Sequence, residues 1–308
     1  MSTVAVPPLS RGFVDDAAIF PPGNLELPDA LSEHRRHDAT WYAGVLGPLV
    51  CDDRRLPALT RLLDAGPASD DGPLALSLVV TGGAGALGPA LTWAQRHKRL
   101  SLRAVEIALR DEDDLARNAE RMATVLSLEL EADAVAHIEM PRLTESDPTH
   151  GWLAAADVVA EAGHRLKFRT GGDTPAAHPD EAELAKVIAA ALDRELAFKC
   201  TAGLHHAIRR TDPATGFEQH GFVNVMVATR ALLDGAGIDD VVRVLADRDG
   251  AALAWAVSGA DPTSIRRWFT SIGSCSIDEP VTDLVELGLL TASHASTGAS
   301  VEHPVDVP

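Results

Sequence analysis

Two lysines carry the strongest chemical signal in this chain. Lys167 lies in His164-Arg165-Leu166-Lys167-Phe168-Arg169-Thr170-Gly171-Gly172, and Lys199 in Leu196-Ala197-Phe198-Lys199-Cys200-Thr201-Ala202-Gly203. Each sits inside a short apolar run and is followed by a threonine and a glycine turn. The chain has 27 basic residues but only four lysines, the other two being Lys98 and Lys186, so arginine supplies nearly all of the positive charge. A lysine buried in a strand is costly to charge, and a second cation beside it adds repulsion. Both effects lower its pKa and free the amine to attack a carbonyl as a Schiff-base nucleophile. Side chains alternate along a strand, so Lys167 and Arg169 share a face, as do Lys199 and Thr201. The competing expectation is that these lysines reach outward or pair with carboxylates.

The elements that must position them follow from the periodicity. Short β-branched runs alternate with longer Ala/Leu/Glu/Arg segments of helical period, the βαβ pattern. Strands are expected at Phe13 to Ile19, Trp41 to about Gly47, Ala75 to Thr81, Arg103 to Leu109, Ala134 to Met140, His164 to Thr170, Leu196 to Thr201 and Trp268 to Ile272. Eight strands with helices between them, over about 290 residues, predict an α/β fold: a (β/α)8 TIM barrel in one domain, residues 1–290. The stretch 203–267 is too long for one connection and predicts a helical insertion between strands seven and eight, with helices near 222–233 and 239–258. Residues 291–308 lack periodicity and are expected to be a disordered tail. In such a barrel the chemistry sits at the C-terminal ends of the strands, where both lysine-threonine-glycine segments end.

Composition bounds the function. The chain has 308 residues and a formal net charge of −18, which disfavours nucleic acid and anionic membrane surfaces as partners. Three cysteines, Cys51, Cys200 and Cys275, with no CxxC spacing, do not form a disulfide framework, and a cytoplasmic location is expected. The N-terminal segment lacks the basic and apolar regions of a signal peptide, and no apolar run approaches the ~18 residues of a membrane span.

Several other motifs compete for the site. Thr81-Gly82-Gly83-Ala84-Gly85-Ala86-Leu87-Gly88 resembles a dinucleotide-binding turn, with Glu106 downstream as a ribose ligand. It follows two earlier βα units, Ala86 replaces a glycine, and the only tyrosine, Tyr42, has Leu46 rather than lysine four residues on. It is expected instead to be a βα loop near the barrel mouth. His205, His206 and His220, with Glu218 nearby, suggest a metal set, but adjacent histidines rarely face one ion. Cys275 lies beside an expected helix N-terminus, without a sequence-evident base.

Lys167-Phe168-Arg169-Thr170-Gly171, followed by Phe198-Lys199-Cys200-Thr201-Ala202-Gly203, resembles the deoxyribose-phosphate aldolase-like class I aldolases. The resemblance continues through Val14-Asp15-Asp16, Val105-Glu106-Ile107, His137-Ile138-Glu139 and Ile272-Gly273-Ser274-Cys275-Ser276, short matches in chain order over most of the barrel. Phe20-Pro21-Pro22, Lys-Phe-Arg-Thr-Gly-Gly and Thr-Ala-Gly-Leu-His-His are also similar to an uncharacterised bacterial family. The aldolase resemblance implies that Lys167 forms the imine, that Lys199 lowers its pKa and that Glu106 is the general acid/base. It implies that Asp15 contacts a substrate hydroxyl, and that Gly171, Gly172, Gly203, Gly273 and Ser274, with Ser276, bind an anion. Three departures bear on substrate. Arg169 stands where the aldolases carry a small hydroxyl residue, and could read a carboxylate or phosphate or pair with Glu139. Glu106 is longer by a methylene than the aspartate expected there. The insertion would cover the mouth.

The expectation is therefore a carbon–carbon lyase that uses Schiff-base chemistry on a small, anionic or phosphorylated oxo compound, with no cofactor and no metal. Its substrate-binding set is Asp15, Glu139, Arg169, Thr170, Gly171, Gly172, Gly203, Gly273, Ser274 and Ser276. A homo-oligomer is compatible with this reading. The alternatives are a metal-assisted hydrolase or isomerase built on Glu106, Glu139 and the histidines, and a non-catalytic anion-binding barrel.

Overall fold

Eight parallel strands close into a barrel, each paired with the next along the chain and the last with the first. They are β1 (Val14–Asp16), β2 (Leu46–Asp52), β3 (Leu74–Val80), β4 (Leu100–Ala108), β5 (Val135–Glu139), β6 (Arg165–Arg169), β7 (Phe198–Thr201) and β10 (Phe269–Ser274). The computed structural model describes residues 6–66, 72–110, 114–143 and 145–292. Of the tail expected over 291–308, residues 293–308 lie outside them. Helices α1 (Leu27–Asp38), α2 (Leu56–Ala65), α3 (Ala84–Arg96), α4 (Leu115–Glu129), α5 (His150–Glu161) and α6 (Glu181–Leu192) each follow one of the first six strands. This is the (β/α)8 architecture expected from the βα alternation. Among the described residues no helix is long and apolar enough to cross a membrane.

Local chemistry sets where the helices begin. Asp114, Thr149 and Asp180 each accept a hydrogen bond from a backbone N–H in the first turn, at 3.0, 3.2 and 2.7 Å. Each such cap contributes about 1 kcal/mol. The strands read as near-continuous apolar runs because both faces are covered, the outer one by helices. That outer layer includes a run of aromatic rings. Phe198 stacks on Phe269 at 5.2 Å, and Phe13 meets Phe269 and Phe222 edge-on at 5.4 and 5.7 Å. Burying each ring is worth roughly 1.5–3 kcal/mol, and their positions on the outer face direct the neighbouring residues inward.

Three boundaries differ from expectation. The second strand lies about five residues later than the Trp41 start predicted, because Ala43–Val45 form a 3-10 turn. Pro48 interrupts the run and reads as a breaker. It falls between Leu46 and Leu49, where the pairing of β1 with β2 is irregular, and before the ladder to β3 begins, so its missing N–H is tolerated. The first strand is only three residues long, since Asp16 Oδ1 accepts from Ala18 N at 3.2 Å and turns the chain. The insertion holds more than two helices. After β7 comes a two-stranded hairpin, β8 (Arg210–Thr211) and β9 (Glu218–Gln219), then α7 (Phe222–Leu233), α8 (Ile238–Ala246), α9 (Gly250–Ser258) and α10 (Pro262–Arg266). The long helix expected over 239–258 is broken after Ala246. The buried Asn224 amide donates to Val244 O and Asp247 O at 2.9 and 2.8 Å, ending α8, and Asp249 caps α9 through Ala252 N at 3.0 Å. A final helix, α11 (Asp278–Glu286), follows β10.

Candidate active site

Polar residues interrupt the apolar strands at matched heights inside the barrel. In the strand register Glu139 on β5 is opposite Lys167 on β6, Lys167 is opposite Lys199 on β7, and Lys199 is opposite Ser271 on β10. Glu106 on β4 and Asp15 on β1 complete the set. Lys167 and Lys199 are 4% and 0% exposed, so their ammonium groups must be satisfied by protein atoms. Glu106 does so for both. Its Oε2 lies 2.7 Å from Lys167 Nζ, and its Oε1 accepts from Lys199 Nζ at 2.7 Å and from Ser77 Oγ at 2.7 Å. Glu139 Oε2 is 2.9 Å from Lys167 Nζ, and its Oε1 accepts from Arg169 Nε at 3.0 Å. Asp15 Oδ2 accepts from Lys199 Nζ at 2.5 Å and from Ser271 Oγ at 2.9 Å. Three carboxylates thus face two ammoniums and one guanidinium. Gly47 makes room for this on β2, because a Cβ there would lie 2.2 Å from Asp15 Oδ1.

These contacts overturn one expectation. Lys167 was expected to have a lowered pKa, but its pKa is raised. Burial acts most strongly and would lower it, and Lys199 also lowers it, but Glu106 and Glu139 outweigh both. The resting amine is therefore charged. Lys199 is held charged in the same way by Asp15 and Glu106, against its own burial. Burial would raise Glu106, yet the two lysines hold it well below the usual carboxylate range, and Lys167 with Arg169 lowers Glu139. Asp15 goes the other way: its burial outweighs Lys199 and Glu106 adds repulsion. It is the carboxylate in the set that takes a proton most readily.

Above this cluster opens a cavity of about 1110 Å³. Lys167, Glu106 and Glu139 line it, and Lys167 is the only lysine among the described residues that does. Lys199 and Asp15 do not line it and lie behind this layer, with Lys199 bonded to both Glu106 and Asp15. Arg169, Gly172, Gly203, Gly273 and Ser276 from the expected substrate-binding set are also in the wall. Thr170, Gly171 and Ser274 are not. Thr170 Oγ1 donates to Ala202 O at 2.6 Å, and Ser274 Oγ donates to Ser276 O at 2.7 Å, so both hold turns. Gly171 packs on the neighbouring turn, where a Cβ would meet Gly203 Cα at 2.9 Å. Ala202 and Gly203 both have positive φ, 63° and 72°, and this turn faces the cavity. The Thr81–Gly88 segment is the β3–α3 turn, residues 81–83, and the start of α3. Thr81 and Gly83 line the cavity rim, and Thr81 Oγ1 donates to Asp53 Oδ1 at 2.7 Å.

Other wall residues did not stand out in the sequence. Arg110 and, from the hairpin, Arg210 join Arg169 in the wall, alongside the carboxylates of Asp173, Asp212 and Glu279. Phe217 and Gln219, also from the hairpin, make it a side wall of the cavity. Ser77 and Ser271 could have been found as lone polar residues inside apolar strands. The three histidines separate. His206 Nδ1 lies 3.1 Å from Asp283, while His220 Nε2 donates to Pro179 O at 2.8 Å and its Nδ1 meets Arg209 at 3.1 Å. His205 faces Cys275 and Glu279 instead. Among the described residues no three His, Cys, Asp or Glu side chains converge as a metal ion would require. No family model matches the chain, and no curated protein matches it.

Proposed function

We propose that the chain is a carbon–carbon lyase of the Schiff-base type, acting on a small anionic oxo compound through an imine on Lys167. The observation that carries this reading is the position of Lys167, which lines the cavity with its Nζ 2.7 Å from a carboxylate that also holds a second buried lysine. Because the resting amine is charged, attack requires that it lose a proton. Glu106 Oε2 is placed to accept it and becomes a neutral acid in doing so. Lys167 Nζ then bonds to the carbonyl carbon as the C=O π pair moves onto oxygen. Glu106 carries two protons in turn from Nζ to that oxygen, the first giving the carbinolamine and the second letting water leave. The resulting iminium accepts the electron pair of the Cα–Cβ bond as that bond breaks, and the Cβ hydroxyl gives its proton to Glu106 and departs as an aldehyde. Protonation of the enamine at Cα, followed by hydrolysis of the imine, frees Lys167. Lys199 stays charged and keeps Glu106 anchored in place, a different role from lowering the pKa of Lys167 alone.

Arg169, Arg110 and Arg210 supply the preference for an anion. Arg169 is nearly half exposed and tied to Glu139, so its fork is available to a substrate carboxylate or phosphate at the mouth. The test is borohydride trapping with a panel of small aldehydes, ketones and 2-oxo acids, followed by peptide mass spectrometry. The expected result is one adduct, on Lys167, absent in Lys167→Ala. No adduct, or indiscriminate labelling that includes Lys98 and Lys186, overturns the reading.

A further inference from the structure

Three side chains at the mouth have no part in the imine chemistry. Cys275 follows β10 and is partly exposed in the cavity wall. Both ring nitrogens of His205 lie against its sulfur, Nδ1 at 3.7 Å and Nε2 at 3.8 Å. His205 Nδ1 also lies 3.2 Å from Glu279 Oε2, in the first turn of α11, which leaves Nε2 to serve the sulfur. These residues come from the loop after β7, the end of β10 and α11, and all three line the same cavity. Nucleophile, imidazole and orienting carboxylate is the arrangement by which a weak nucleophile is activated.

We propose that Cys275, His205 and Glu279 form a second nucleophilic centre that captures small aldehydes reversibly as thiohemiacetals. The choice of aldehyde rests on the lyase reading, since aldol cleavage releases one into this cavity. The thiol proton passes to His205, and Sγ forms a bond to the carbonyl carbon. The π pair of the C=O bond moves onto oxygen, which takes the proton from His205 Nε2. Reversal returns both partners unchanged, with no oxidant or reductant.

The surroundings favour an imidazolium. Burial would lower the pKa of His205, but Cys275 and Glu279 together raise it to about 9. Ser274 Oγ also faces the ring at 3.5 Å, and His206 and Asp283 adjoin Glu279. Cys51 and Cys200 make internal controls, since both are buried and burial pushes their thiols up, that of Cys51 to about 12.

The test is a timed pulse of iodoacetamide at pH 5 to 9, with labelling of each cysteine read by peptide mass spectrometry. Cys275 is expected to label at least about tenfold faster than Cys51 or Cys200. His205→Gln should slow Cys275 about tenfold at pH 6.5. Glu279→Gln, at a half-exposed position the fold tolerates, should slow it about threefold. Glycolaldehyde should protect Cys275 in the Lys167→Ala protein as well as in the wild type, which separates this centre from the imine. A wild-type pH profile unchanged in both His205→Gln and Glu279→Gln, or no protection by glycolaldehyde in Lys167→Ala, overturns the proposal.

Discussion

Lys167 and Lys199 are register partners on adjacent strands, and the carboxylate of Glu106 stands between their ammonium groups with one oxygen on each. Two buried cations at neighbouring positions are tolerable because that anion stands between them, with Glu139 on Lys167 and Asp15 on Lys199 completing the balance. Glu106→Gln keeps the shape but leaves the ammoniums facing each other across a neutral amide. Breaking a buried ion pair by removing one partner costs about 3–5 kcal/mol, and urea denaturation of Glu106→Gln should show a loss in that range. A loss below about 1 kcal/mol would mean that water or Asp15 compensates the lysines.

The same logic predicts non-additivity on the other side of the cluster. Lys199→Met strands Asp15, whose proton affinity burial already raises. Adding Asp15→Asn to Lys199→Met should restore about 1–2 kcal/mol, although Asp15→Asn alone destabilises. A double-mutant cycle by denaturation checks this, and simple addition of the two costs contradicts it.

Two histidines should shape the pH dependence of stability in opposite directions. His220 is lowered to about 4, chiefly by burial and then by Arg209. Its contribution is present above the unfolded value near 6.5 and is lost as pH falls through about 4. His205 is raised to about 9, so its contribution is full below about 6.5 and is lost as pH rises through about 9. Each shift corresponds to about 3 kcal/mol. Denaturation at pH 4.5, 6.5 and 9 should show His220→Gln less sensitive to acid than the wild type. It should also show His205→Gln less sensitive to alkali. Parallel curves for wild type and variants would refute both assignments.

Arg169→Gln should separate recognition from bond formation. Loss of a charged contact to a substrate anion costs about 1.5–3 kcal/mol, or ten- to a hundredfold in affinity. Trapping of 2-oxo acids should fall by that factor while trapping of neutral aldehydes changes little. Equal loss for both would place Arg169 in holding Glu139 instead.

The barrel was legible because covered parallel strands must be apolar on both faces, which makes any lone lysine, glutamate or aspartate in them stand out. Lys167 and Lys199 were found that way, whereas Glu106 and Asp15 came from the aldolase resemblance. Their protonation was not legible, since it depends on which carboxylates meet which amine across five strands. Lysine-to-lysine repulsion was visible along the chain, whereas the stronger attraction of Glu106 and Glu139 needed the closed sheet. The start of β2 was obscured by Pro48, whose tolerance depends on an irregular pairing. The base beside Cys275 was hidden because His205 lies 70 residues away in sequence.

The hairpin of Arg210–Gln219 forms one side of the cavity yet belongs to none of the eight βα units. The residues around Lys167 hold one another by mutual charge, so changing any one of them alone disturbs the rest. The hairpin lies outside that network, and its own ion pairs run from Glu218 to Arg248 and Arg209. Floor and wall are encoded in separate stretches of the gene, and mutation can reshape the wall while the floor stays as it is. A family of proteins sharing this floor could thus diversify what enters the barrel by exchanging one short, local segment.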